Sequence, residues 1–328
     1  MNTHTTSLKA PASQSRSTHM RDIYRRYGIV AVLIVLCIVL SFANQYFLTL
    51  GNIADILRQT SINGILAVGM TYVVLTAGID LSVGSTLALA GIISASLVTG
   101  PHPHGAAFGL MAGLATGAAV GAINGLLVAR LSIPPFVATL GMLSAARGLT
   151  YIYNDGMPVT DLPDAYLTIG TGAIAGIPVP IIVFALVVVL FWFVLRYTTY
   201  GRYVYAVGGN ARSAKTSGIS TGKILFSVYV IGGLLAGLAG IILAARTTSA
   251  LPQAGMSYEL DAIAAVVIGG TSLSGGTGSL GGTVVGALLI GVINNGLNLL
   301  GVSSYYQQVV KGVIIVGAVL LDASRKKQ

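Results

Sequence analysis

Charge is what this sequence has least of. Only 8% of its 328 residues are Asp, Glu, Lys or Arg, while 54% are hydrophobic, and the mean hydropathy is +0.84. A soluble domain carries roughly 25% charged residues. So few charges cannot cover a water-facing surface, and most side chains must therefore face lipid or other buried helices. Cysteine is nearly missing. Cys37 stands alone inside the first apolar run, which excludes an internal disulfide and a cysteine-built metal cluster and leaves the role of small apolar filler. Histidine is scarce as well. His4 and His19 lie in the amino-terminal segment, and His102 and His104 share the turn 101–104. Two histidines are a poor ligand set, so a solvated turn fits better than a metal site.

No enzyme signature is present. The nearest approach to a nucleotide-binding loop is 218–224, GISTGKI. It has one residue too few between its glycines, and Ile224 stands where a Ser or Thr would hold magnesium. ATP bound through a Walker motif is excluded, and no cofactor is implied. Any ATP-driven work must be done by another subunit.

What the chain does have is apolar length. A helix crosses a bilayer in about 20 apolar residues, and ten such runs can be drawn: 28–48, 61–79, 82–99, 105–129, 134–153, 177–195, 223–245, 259–275, 281–300 and 304–321. The expected fold is an all-α polytopic membrane protein of about ten transmembrane helices, with both termini cytoplasmic. The runs 61–79, 82–99 and 259–275 are short or Gly-rich and are the candidates to be broken or re-entrant. Residues 1–27 read as a disordered cytoplasmic tail, 28–321 as the transmembrane domain with an inner loop at 196–222, and 322–328 as a second cytoplasmic tail. The first run lacks a small-residue cleavage site, so it reads as a retained span.

The net charge of +9 reports topology and implies no nucleic-acid partner. With the amino terminus inside, 13 of the 18 Lys and Arg fall in inner loops, as the positive-inside rule requires. The 43 glycines include Gly113, Gly117, Gly121 and Gly125 at four-residue spacing, echoed by Gly233 and Gly237. Such stripes let helices pack closely. Residues 78–84, GIDLSVG, and 270–276, GTSLSGG, are faintly alike, a possible trace of duplicated halves.

Ionisable groups inside a membrane call for an account. Arg147 lies well inside the fifth run and Lys311 about two turns into the tenth. Each reads either as a gate or substrate contact, or as a snorkelling or ion-paired structural charge, and for Lys311 the structural reading is preferred. Asp80 sits in the hairpin after the second run, and Glu259 and Asp261 open the eighth. Asn294 and Asn298 share a helix face, with Asn295 turned about 100° away. Amides both donate and accept, which suits hydroxyl-rich solutes, but they also join helices. Asp80, Arg147, Asn294 and Asn298 are the candidates for a translocation path. The nine acidic residues all fall near span ends or in loops, with none expected to be buried.

The longest inner loop, 196–222, is the strongest functional candidate. Gly208 and Gly209 suggest a turn, Asn210 can cap a short helix, and Gly218 can end it. The expected helix covers about 211–217.

Here the sequence resembles the ribose-type branch of the ABC importer permeases. The likeness rests on AGIDLSVGS at 77–85, IPPFVATLGMLSAARG at 133–148, GRYVYAVGGN at 201–210, SGI at 217–219, YELDAIAAVVIGGTSLSGG at 258–276 and NNGLNLLGVSSYYQ at 294–307. It implies a permease subunit in a bacterial inner membrane that moves a ribose-like monosaccharide. The partners implied are cytoplasmic ABC ATPase subunits, a periplasmic sugar-binding protein and a second permease copy. The coupling pattern of that family falls on Gly208, Gly209, Asn210, Ala214, Ser217, Gly218 and Ile219. Ser213 and Arg212 depart from it, Arg212 by reversing a common acidic charge. Two other classes compete. An ion-coupled secondary sugar transporter would need a carboxylate or cation site at mid-membrane. An intramembrane enzyme would need a nucleophile with a base.

Overall fold

A computed structural model gives the fold of residues 14–100 and 103–325. His102 and the terminal stretches 1–13 and 326–328 lie outside the described residues. The structure is almost wholly helical. In chain order the elements are α1 (Gln14–Ala43), α2 (Leu50–Leu75), α3 (Val83–Val98), α4 (Ala106–Ala129), α5 (Pro135–Tyr153) and α6 (Asp164–Thr171). A two-stranded hairpin follows, β1 (Ala173–Ile174) paired antiparallel with β2 (Ile177–Pro178). Then come α7 (Val179–Tyr197), α8 (Thr199–Gly209), α9 (Ala211–Thr216), α10 (Thr221–Arg246), α11 (Tyr258–Ile268), α12 (Leu280–Leu299) and α13 (Ser304–Arg325).

Among the described residues, α4, α7, α10 and α12 are long and apolar enough to cross a membrane. Gly28–Ala43 and Val83–Val98 are shorter apolar stretches. The chain is an all-α membrane protein. Helical backbone begins at Gln14, within the segment expected to be a tail, and α13 runs on to Arg325.

The expected runs and the observed helices differ most at α2 and α11. α2 starts eleven residues before the apolar run does, because Thr49 caps it by accepting from Asn52 N–H at 3.4 Å. Asp55 and Arg58, which precede the apolar run 61–79, lie in the first turns of α2 as an ion pair at 2.9 Å. α2 is also the centre of the fold. Every residue from Thr60 to Thr76 is buried, so its polar side chains meet protein rather than lipid. α11, by contrast, ends at Ile268. Its 11 residues span about 16 Å at 1.5 Å per residue, roughly half a hydrocarbon core. Gly270, at φ +88°, takes the left-handed conformation that stops a helix. The run 259–275 is therefore a half-helix followed by a loop.

α10 is the hub, packed against α4, α3 and α2. Its contact with α4 is built from the predicted glycine stripe. A Cβ on Gly117 would lie 2.9 Å from the Gly237 backbone, and one on Gly121 would strike the Tyr229 carbonyl. The two backbones touch with no side chain between them, the geometry small-residue stripes permit. Two buried tyrosines of the core have their hydroxyls satisfied. Tyr72 on α2 donates to the Phe191 carbonyl of α7 at 2.6 Å, and Tyr166 on α6 donates to Ser94 of α3 at 3.0 Å.

Candidate functional site

The segment after α7 forms two helices. Thr198 caps α8 by accepting from Gly201 N–H. Gly208 and Gly209 are the last turn of α8, not a free turn, and the chain breaks at Asn210, whose backbone is extended. The physical reason is a close approach. A Cβ on Gly208 would collide with the Leu75 carbonyl and sit 2.7 Å from Gly276 N. Only glycine lets the end of α8 wedge between the turn after α2 and the loop after α11. Gly276 N–H donates to the same Leu75 carbonyl at 2.9 Å, and Tyr205 on α8 donates to the Gly278 carbonyl at 2.9 Å. The two similar stretches at 78–84 and 270–276 thus border one junction, closed by α8.

The predicted short helix is α9. Asn210 caps it by accepting from Ser213 N–H at 3.0 Å. Its end is a paired closure: Gly218 N–H donates to the Lys215 carbonyl at 3.1 Å and Ile219 N–H to the Ala214 carbonyl at 3.0 Å, with Gly218 at φ +83°. This is the Schellman arrangement that left-handed glycine makes possible. Ala214 is buried against the bundle, whereas Arg212, Ser213, Lys215, Thr216 and Ser217 are exposed. α9 is therefore a small rigid element with one apolar anchor and a polar, basic outer face.

The four candidate path residues do not converge. Asp80 is buried in the turn between α2 and α3, where its carboxylate accepts from Ser82 N–H at 2.8 Å and from the Ser82 hydroxyl at 2.7 Å. Asn124 on α4 donates to that hydroxyl at 2.8 Å, and the Thr139 hydroxyl of α5 reaches the Ile79 carbonyl at 3.3 Å. Asp80 therefore shapes the hairpin, and its neighbours Ser82 and Ile79 tie that hairpin to α4 and α5. Arg147 on α5 donates to the carbonyls of Pro252 and Ala254, bracing the loop that leads into α11. Asn298 is exposed and accepts from Gln307 at 2.7 Å. Asn295 forms a reciprocal amide pair with Asn52 at 3.1 and 2.8 Å, which joins α12 to α2.

Asn294 belongs to a separate cluster that sequence reading did not assemble. Asp261, 2% exposed, pairs with Lys311 of α13 at 2.8 Å. Its carboxylate also receives the amides of Asn294 at 3.4 Å and of Asn63, on α2, at 3.5 Å. Lys311 is thus an ion-paired group, in agreement with the structural reading. The expectation that no acidic residue is buried is wrong: Asp80 and Asp261 both are. The cause is tertiary. α11 begins inside the bundle, so its first turn, which looks like a span end in sequence, is enclosed by α2, α12 and α13. The available signal was Asn63, a lone amide in the apolar run after Ser61.

Comparison with known proteins places this architecture. The family model for the branched-chain amino acid transport system / permease component matches residues 52–319. The chain belongs to that permease family. The permease is 50% identical to the ribose import permease protein of Escherichia coli over 92% of this chain and 94% of that one. It is 48% identical to the ribose import permease protein of Bacillus subtilis over 96% and 97%, and 41% identical to the D-allose transport system permease protein of Escherichia coli over 97% and 98%. No solved structure matches. The permease is a multi-pass protein of the bacterial inner membrane, and the matched region contains α3 to α12 whole and nearly all of α2, including α8, α9 and the buried cluster.

Proposed function

We propose that this permease is the membrane subunit of an ATP-driven importer for a ribose-like monosaccharide. The observation that carries the reading is the near-full-length identity to ribose import permeases. The rigid exposed α9, seated on the junction of two transmembrane loops, supports it. In this reading the chain crosses the membrane ten times with both termini inside. Cytoplasmic ABC ATPase subunits grip Gly208–Gly209–Asn210 and the α9 residues Ala214 to Ile219. A periplasmic sugar-binding protein delivers sugar on the other side, and a second copy of the chain completes the path.

The mechanism follows from the division of labour. The sequence carries no Walker motif, so nucleotide is bound and hydrolysed elsewhere. When the ATPase dimer closes, it displaces α9. The α8 end cannot yield independently, because Gly208 abuts the Leu75 carbonyl and Gly276. Displacement passes to the end of α2 and to the loop after α11 and switches the bundle between inward- and outward-facing arrangements, a shift between two packed states rather than a continuous deformation.

An ion-coupled secondary transporter is the other reading. The buried Asp261 favours it less than burial alone suggests, because Lys311 already neutralises that carboxylate. Proteoliposomes holding permease, ATPase and binding protein decide between them. Labelled ribose should accumulate only when ATP is supplied to the ATPase side. Uptake that ignores ATP and is abolished by an uncoupler would overturn the importer reading.

A further inference from the structure

Non-helical backbone at membrane depth is tolerated only where protein buries it or water reaches it. Between α10 and α11 the chain runs without helix from Thr247 to Ser257. Its depth is fixed by α3. That helix meets Gly240 of α10 at Gly91 and, two turns earlier, meets Gly255 at Gly84, where an added Cβ would strike the Gly255 carbonyl and Glu259 Oε2. Gly84 lies about 21 Å from the Val98 end of α3 at 1.5 Å per residue, well over half of a hydrocarbon core about 30 Å thick. The segment before α11 therefore descends alongside α3 into the bundle. Arg147 of α5 holds it by donating to the carbonyls of Pro252 and Ala254, one on either side of Gln253.

Protein does not bury this segment. Gln253 and Met256 are exposed and Glu259 is half-buried. Beside them α5 carries a second polar face, with Ser144 and Tyr151 exposed and the half-buried Arg147 between them at i, i+3 and i+7. Tyr151 and Glu259 both interact electrostatically with Arg147, so the two faces join. The lipid-type surface of this chain looks different. On α1 it is Val35, Ile38 and Val39, and on α7 it is Leu186, Val189 and Leu190, all large and aliphatic. An amide, a carboxylate and a guanidinium are costly to present to acyl chains. We propose that Ser144, Arg147 and Tyr151 of α5, with Gln253, Met256 and Glu259 at the entry to α11, form one wall of the water-filled sugar route, the second copy of the permease supplying the opposite wall. The surface lies on the outside of the single bundle, where a route between two copies runs. Its chemistry suits a polyol. Hydroxyl, amide and carboxylate groups exchange hydrogen bonds with sugar as they do with water, and Met256 offers an adaptable apolar surface to the C–H face of the ring. This inference rests on the importer reading and names which surface of the chain meets the sugar.

The test uses the permease–ATPase complex in proteoliposomes, with single cysteines placed in a Cys37→Ser background and a charged methanethiosulfonate reagent present on both sides of the membrane. The reagent needs a thiolate, which forms in water and not among acyl chains. Ser144→Cys, Gln253→Cys and Met256→Cys should therefore react at least about tenfold faster than Val189→Cys on α7. With binding protein and ATP added, modification of Gln253→Cys should abolish ribose uptake, whereas Val189→Cys treated in the same way should keep it. Labelling of Ser144→Cys and Gln253→Cys no faster than that of Val189→Cys overturns the proposal, because the surface would then face lipid or a dry contact. Full uptake after complete modification of Gln253→Cys overturns it as well. Labelling is read without transport, so a wild-type complex that takes up no ribose with ATP refutes the importer reading instead, and the two failures are distinguishable.

Discussion

At the scale of single residues, the governing fact is that a charge or amide inside this bundle is held by protein. Asp261 is the sharpest case. Its carboxylate is buried and matched by one ammonium and two amides. Removing one member of a buried pair strands the other, which costs about 3 kcal/mol. Lys311→Met should therefore lower the thermal unfolding midpoint of the detergent-purified permease and its yield in the membrane. The double variant Lys311→Met with Asp261→Asn should recover most of that loss, because the stranded charge is gone. An unchanged midpoint in Lys311→Met would show that the pair does not form. Lys311 was legible as a structural charge, snorkelling or ion-paired, from its depth in an apolar run, and the structure shows the ion pair. Its partner was not, since Asp261 looks like an ordinary helix-start carboxylate until the tertiary fold encloses the start of α11.

At the scale of elements, local pattern predicted well where the physics is local. The four-residue glycine period became the α4–α10 backbone contact, and the Asn210 cap with the Gly218 stop became α9 within one residue of its expected end. Pattern failed where a tertiary contact overrode propensity. Gly208 and Gly209 read as a turn, yet they are the end of α8, kept small by the Leu75 carbonyl and Gly276. The run 259–275 read as a span, yet glycines after Ile268 leave a half-helix. α9 also carries a direct prediction. Proline fixes φ near −65° and cannot adopt the +83° of Gly218. Glutamate at 214 would place a charge where Ala214 is 4% exposed. Gly218→Pro and Ala214→Glu should leave the chain in the membrane at normal abundance while ATP-dependent uptake falls at least tenfold. Wild-type uptake and wild-type co-purification of the ATPase in either variant would remove α9 from the coupling role.

At the scale of the whole molecule, composition alone established a membrane protein, and the helical bundle agrees. The distribution of Lys and Arg underlies the proposed orientation, and the near-full-length likeness to ribose import permeases underlies the proposed function. What sequence could not supply was the wiring. Nothing in local pattern shows that the ends of α2 and α8 touch the loop after α11, because residues 75, 208 and 276 are far apart along the chain. In the proposed mechanism that junction carries a conformational change at α9 to the whole bundle. It requires α8 and α9 to face the cytoplasm, where an ATPase can reach them. The most direct measurement places a single cysteine at the exposed α9 position, Ser213→Cys, in a Cys37→Ser background. A membrane-impermeant maleimide should label it in inside-out vesicles and not in intact cells, and bound ATPase subunit should protect it. Labelling from outside intact cells would contradict the account.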